Sequence, residues 1–183
     1  VLVTRHLVGN EPFAVVLTDD VIDAERPALR QMIDVFERVQ GPVIAVERVP
    51  VEEVSSYGIV AIDETDLGPG VHRIVDLVEK PPRNEAPSNL AIIGRYILTP
   101  DIFPALQQTA SDRTGEIQLT NGMRRLLQTR PLYACEINGV RHDTGNKLGF
   151  LKATAYFAMR RPEFSDAFRR YIETLEKPVG TTR

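Results

Sequence analysis

Phe13–Leu17 reads FAVVL, Thr18–Asp20 reads TDD, and Val43–Val49 reads VIAVERV. Between the two Val-rich runs lies Glu25–Val39. There Leu29, Met32, Ile33, Phe36 and Val39 recur at the spacing of one helix face. A short continuous apolar run that ends in polar residues reads as a buried, parallel strand. Gly41-Pro42 stops the helix. Strand, helix, strand is a βαβ unit, so this stretch predicts an α/β fold with a largely parallel sheet.

Outward from it, Tyr57–Ile62, Val71–Lys80, Ala91–Leu98 and Pro131–Ile137 read as further strands. Thr99-Pro100 is a helix start, with Thr as N-cap and Pro at the first helical position. Leu119, Met123, Leu126 and Leu127 form a second helical stripe, weakened by about 1 kcal/mol by Gly122 inside it. Asn138-Gly139 is a type I′ hairpin signal, so Val140–Asp143 is expected to pair back onto the strand before it. Helices over Lys147–Arg160 and Phe164–Glu176 follow. The stripe Phe168, Tyr171, Ile172 and Leu175 on the second fits core packing or an interface, with core packing the default.

The chain has 183 residues, 43% hydrophobic and 26% charged, enough to bury a core without staples. Its net charge of -3 argues against a general nucleic-acid binder. The single cysteine, Cys135, excludes an intrachain disulfide and a multi-cysteine zinc site. No apolar run approaches the roughly 18 residues of a membrane span.

Several residues offer chemistry. Asp19 and Asp20 follow a strand, where open α/β sheets bind ligands. Carboxylates there hold a hard divalent ion that in turn holds phosphate; the ordinary alternative is a turn Asp and a solvated one. His142-Asp143-Thr144-Gly145-Asn146-Lys147 sets another carboxylate at a strand end before a helix start, where N–H groups suit phosphate. An ordinary turn is again the alternative, and His142 reads as structural. Glu79 and Lys80 adjoin in an extended segment and so point to opposite sides. The acid suits sugar hydroxyls and the ammonium a phosphate, against a plain solvated pair. Gly58 admits close ligand approach or merely starts a strand; Ser88-Asn89 bonds a polar ligand or makes a turn. Cys135 reads as a buried small residue. No G-x-S-x-G, Walker A or G-x-G-x-x-G motif is present.

In this order the signals are specific. EPFAVVLTDD (Glu11–Asp20), SSYGIV (Ser55–Val60), VEKP (Val78–Pro81), APSNLAIIGRYILTPDIF (Ala86–Phe103), GEIQLT (Gly115–Thr120) and HDTGNKLGF (His142–Phe150) together resemble the bacterial UTP–glucose-1-phosphate uridylyltransferases, also called UDP-glucose pyrophosphorylases. The resemblance runs from about His6 to Leu175, with the thymidylyltransferases as nearest competitor. It implies a nucleotidyltransferase-type, Rossmann-like fold: a mixed, mostly parallel sheet flanked by helices. It implies that UTP and glucose 1-phosphate give UDP-glucose and pyrophosphate with Mg²⁺, without a covalent enzyme nucleophile.

Carried onto this sequence, Asp19 and Asp143 become metal ligands. Glu79 takes glucose hydroxyls, Lys80 the sugar phosphate, Gly58 a backbone contact to the ring and Asn89 a side-chain contact. Asp19, Lys80 and Asp143 form the catalytic set, while Asp20 matches a position of variable type. The resemblance also implies a cytoplasmic enzyme of carbohydrate metabolism, a homo-dimer or homo-tetramer, with no nucleic-acid or membrane partner.

Two departures stand out. Relatives commonly read GEIQLTDAI where this chain has GEIQLTNGM, which is expected to affect helix stability more than chemistry. A Gly-rich G-x-G-T-R loop, expected to cradle the nucleotide, is not found, and the sequence opens at Val1 as VLVTRHLVGN. Residues 1–176 are therefore expected to be an N-terminally truncated nucleotidyltransferase domain, inactive alone, with 177–183 a frayed tail. A non-catalytic sugar-phosphate-binding or subunit-contact module is the second reading. A phosphatase using Asp19 as nucleophile is a distant third.

Overall fold

The computed structural model describes residues 1–112 and 114–176; the tail expected over 177–183 lies outside the described residues. The chain divides into two compact units. The first holds Val1–Thr18 and Ile22–Val140; the second joins Asp19–Val21 to the chain from Arg141 onward.

The first unit is built on a six-stranded sheet. Its strands are β1 (Phe13–Val16), β3 (Val43–Arg48), β4 (Gly58–Ile62), β5 (Val71–Glu79), β6 (Leu90–Leu98) and β7 (Leu132–Glu136), in the order β1-β6-β3-β7-β5-β4. β6 also meets β4, with Ile59 opposite Ala91. The sheet is mixed, and only β3 and β7 are parallel neighbours. This corrects the expected mostly parallel sheet, for a definite reason. β1 and β3 run the same way, as a βαβ crossover requires, but β6 lies between them, antiparallel to both. The crossover signal reports strand direction, and adjacency is decided by a strand some forty residues later in the chain.

β1 is also not the buried strand expected. It pairs only with β6, and Ala14 and Val16 on its second face are exposed. β3 does match its sequence: Val43–Val46 are all buried, because helices cover both faces. Val43 and Ala45 face Met32 and Val35 of α2 (Ala28–Val39). Ile44 and Val46 face Phe103 and Leu106 of α3 (Ile102–Gln107) and Met123 and Leu126 of α4 (Leu119–Leu126). The short α1 (Arg5–Val8) ends at Gly9, and Phe13 stacks on Phe103 at 5.3 Å.

Local chemistry moves two helix starts. α2 begins three residues after Glu25, because Pro27 disfavours helical backbone in the residue before it. α3 begins at Ile102, after Asp101 rather than Thr99, whose hydroxyl bonds the Asp101 carboxylate. The Asn138-Gly139 hairpin does not form. Both edges of β7 are occupied, by β3 and β5, so a returning strand finds no free partner. Instead Gln31 of α2 clamps Asn138 through two hydrogen bonds at 2.9 Å. β8 (Val140–Asp143) pairs with β2 (Asp20–Asp23) in a separate two-stranded sheet.

In the second unit, α5 (Lys147–Arg160) and α6 (Ser165–Glu176) lie where two helices were expected. The α6 stripe is not core, since Tyr171, Ile172 and Leu175 are exposed. No described helix is long and apolar enough to cross a membrane.

Candidate active site

In the first unit, the separate motifs SSYGIV and VEKP prove to be one piece of sheet. Gly58, which opens β4, stands opposite Glu79, which closes β5. Residues opposite each other in an antiparallel pair share a face, so the Glu79 side chain lies over Gly58. A Cβ on Gly58 would stand 3.1 Å from Glu79 Oε2, 3.0 Å from Thr120 Oγ1 and 3.0 Å from Ile92 Cδ1. Glycine therefore leaves an open spot framed by a carboxylate, a hydroxyl and a methyl group.

Lys80 departs from the expected alternation. Its φ is 44°, so it turns out of the strand rather than continuing it. Two bonds hold that turn: Lys80 N–H donates to the Tyr57 carbonyl at 3.0 Å, and Ser55 Oγ donates to the Pro81 carbonyl at 2.8 Å. Neither the Glu79 carboxylate nor the Lys80 ammonium has a hydrogen-bond or ion-pair partner among the described residues. Asn89 is tied to β3's end, its Nδ2 donating to the Val49 carbonyl at 3.1 Å while Val49 N–H donates to its own carbonyl. Ser88 Oγ donates to the Val60 carbonyl, so the Ser88-Asn89 pair staples strands together.

α4 is docked beside this spot. Arg124 grips Asp76 of β5 with two bonds, at 2.7 and 2.8 Å. The loop before it is organised by Asp112, which accepts from Thr114, Glu116 and Gln118. The bonds from the Thr114 and Gln118 side chains hold the Asp112 carboxyl well below the usual carboxylate range. Sequence reading singled out this segment but assigned it no role.

The second unit holds the other carboxylates. Thr144 donates both its N–H and its hydroxyl to the Asp19 carbonyl, at 2.7 and 2.8 Å. Asp143 Oδ1 accepts Gly145 N–H at 2.9 Å, and its Oδ2 accepts Asn146 Nδ2 at 3.2 Å. Asn146 in turn caps α5, accepting Gly149 N–H at 2.8 Å. Only glycine fits at 149, where a Cβ would lie 1.8 Å from the Asp143 carbonyl oxygen.

Asp19 and Asp143 converge on Gly145, where a Cβ would stand 2.9 Å from Asp19 Oδ2 and 3.2 Å from Asp143 Oδ1. That cradle, lined by hard oxygen donors, suits Mg²⁺, which takes one or two protein carboxylates and fills its shell with water and phosphate. No cluster of three or more His, Cys, Asp or Glu is placed to hold a metal among the described residues. A cleft of about 430 Å³ lined by Thr144, Gly145, Asn146, Lys147, Phe150 and Leu151 opens there.

The neighbours of the two aspartates are structural. Asp20 is buried and ion-paired with Arg141. The His142 ring packs on Tyr156 and Phe157, at 4.2 and 5.2 Å. Burial pushes the Cys135 thiol up to about 11, in keeping with an inert core residue.

The fold agrees with that of known proteins. The chain belongs to the nucleotidyl transferase family, whose profile matches residues 1–160. Within it, the chain is 43% identical over 171 residues to the UTP–glucose-1-phosphate uridylyltransferase of Bacillus subtilis (strain 168), covering 93% of this chain and 58% of that protein. It is also similar to a crystal structure of UDP-glucose pyrophosphorylase complexed with UDP-glucose, with a TM-score of 0.83 and 41% identity over 87% of this chain and 61% of that one. UTP-bound UGPase from Acinetobacter baumannii gives a TM-score of 0.84 at 34% identity, over 97% and 60% of the two chains. The chain thus spans about three fifths of the length of the relatives it matches.

Proposed function

We propose that the full-length protein is a UTP–glucose-1-phosphate uridylyltransferase, making UDP-glucose and pyrophosphate. The observation that carries this reading is the pairing of an unpartnered Glu79 with Gly58, beside the turned-out Lys80. It gives a sugar-sized opening with an acceptor for hydroxyls and a cation for phosphate. The relatives' names and their UDP-glucose and UTP complexes supply the substrate class.

In this reading Glu79 orients glucose through its hydroxyls, Gly58 lets the ring approach the backbone, and Asn89 offers its side-chain carbonyl. Lys80 holds the sugar phosphate so that its oxygen faces the nucleotide α-phosphorus. Asp19 and Asp143 would hold Mg²⁺, which would supply neutralisation of the phosphate charge. The exposed apolar residues of α6 support a homo-oligomer.

The test follows pyrophosphate release from UTP and glucose 1-phosphate with Mg²⁺. Asp19→Asn and Asp143→Asn are each expected to lower kcat by about a hundredfold or more, the scale of losing electrostatic stabilisation of a transition state. A wild-type protein that uses dTTP but not UTP would overturn the proposal.

A further inference from the structure

Asn146 stands just ahead of α5 and uses both ends of its side-chain amide. Its Oδ1 accepts Gly149 N–H at 2.8 Å, and its Nδ2 donates to Asp143 Oδ2 at 3.2 Å. The first bond is an N-cap, for which Asn, Asp and Ser serve about equally well. The second bond singles out Asn. Ionised Asp has no proton to donate, and the one oxygen of Ser, spent on the cap, reaches no further. The partners also fix which way the amide faces. Reversed, it would set its oxygen against the Asp143 carboxylate and its own N–H against Gly149 N–H.

The Nδ2 bond has a use beyond capping. The last torsion of an Asp side chain is broad and roughly two-fold, so a carboxylate held at one oxygen still swings. Asp143 is held at both, by Gly145 N–H at Oδ1 and by Asn146 at Oδ2. Oδ1 is the oxygen turned toward Asp19: it and Asp19 Oδ2 lie 3.2 and 2.9 Å from the point where a Gly145 Cβ would be. Two carboxylates so close repel each other until a cation lies between them. Held by Gly145 alone, Asp143 can relieve that repulsion by rotating away, and the Asn146 bond opposes the rotation.

The anchor is firm. The cap ties the amide to α5, a helix of 14 residues. The same turn holds the other carboxylate's backbone, through the two bonds from Thr144 to the Asp19 carbonyl. A pair of ligands placed in advance loses less freedom when an ion binds.

We propose that Asn146 is a positioning residue for the metal, its amide holding the Asp143 carboxylate toward Asp19 from the end of α5. The inference rests on the uridylyltransferase reading, in which Asp19 and Asp143 are the Mg²⁺ ligands.

The test titrates Mn²⁺, a paramagnetic substitute for Mg²⁺, into the full-length protein with UDP-glucose bound, and reads free Mn²⁺ by electron paramagnetic resonance. Asn146→Ser keeps the cap and loses the donor. It is expected to bind Mn²⁺ about tenfold more weakly, the lower end of what removing a hydrogen-bond partner from a metal ligand costs. The Mg²⁺ concentration for half-maximal turnover should rise by the same factor. Its melting temperature without metal should stay within about 3 °C of wild type. Asn146→Gly, a tolerable cap that also lacks the donor, should behave alike and stands in if the Ser variant fails to fold.

Unchanged Mn²⁺ affinity in both variants, with Asp143→Asn still weakening it, would overturn the role of Asn146 alone. Affinity that falls only in step with melting temperature across the two variants would make Asn146 a cap and nothing more. A wild-type protein that binds no UDP-glucose, or whose Mn²⁺ binding is indifferent to Asp143→Asn, would overturn the reading beneath this inference as well.

Discussion

Among the described residues, two other than glycine have positive φ, and their settings differ. Gln40, at 52°, caps the end of α2, where left-handed backbone is common. Lys80, at 44°, ends a strand, where it has no such excuse. A side chain in this region costs about 1 kcal/mol relative to glycine. The Tyr57 and Ser55 bonds on either side of Lys80 sustain that cost and aim its ammonium out of the strand's alternation. We expect Lys80→Gly to be as stable as wild type or up to about 1 kcal/mol more stable by thermal unfolding. Its turnover should fall at least a hundredfold with the loss of the cation. A Lys80→Gly protein that is both less stable and fully active would contradict this assignment. The residue type was legible in the sequence, but the backbone angle was not, because it is imposed by partners more than twenty residues away.

At the scale of elements, Gly122 shows how a tertiary contact reverses a local expectation. Sequence propensity marks it as a weak point in α4, worth about 1 kcal/mol against alanine. In the fold it faces α3, and a Cβ there would stand 2.3 Å from Leu106 Cδ2 and 3.0 Å from Leu106 Cγ. Leu106 is itself buried, so it has little room to yield. Overpacking of this kind costs about 1–3 kcal/mol, which matches or exceeds the propensity gained. Gly122→Ala is therefore expected to lower stability by up to about 2 kcal/mol in urea unfolding. A gain of about 1 kcal/mol would mean that Leu106 shifts freely. The Gly58–Glu79 pair carries the same lesson: each was visible as a motif, but only the β4–β5 register makes them neighbours.

At the scale of the whole molecule, the second unit is assembled from Asp19–Val21 and a segment that starts some 120 residues later. Inside it, Asp20 and Arg141 form an ion pair with both side chains about nine-tenths buried. Removing one partner from such a pair strands the other charge, at a cost of about 3–5 kcal/mol. Arg141→Met should destabilise this unit accordingly. Hydrogen exchange should show lost protection at 19–21 and 141–176 before the six-stranded sheet. Unchanged protection in those segments would show that the pair contributes nothing. The tandem Asp19-Asp20 thus divides its labour, one carboxylate exposed and the other in structural use.

What the sequence alone determined is most of the elements and the family. Helix periods, Val-rich runs and Gly-Pro stops act within a few residues, so β3, α2, α5 and α6 could be read directly from the chain. The family was legible for the same reason, as short unbroken strings. Tertiary structure alone decided which strands touch. β6 inserts between β1 and β3, β8 leaves β7 for β2, and Glu79 lies over Gly58. Strand pairing depends on which edges are still free once the rest of the chain has packed, and no local pattern carries that information.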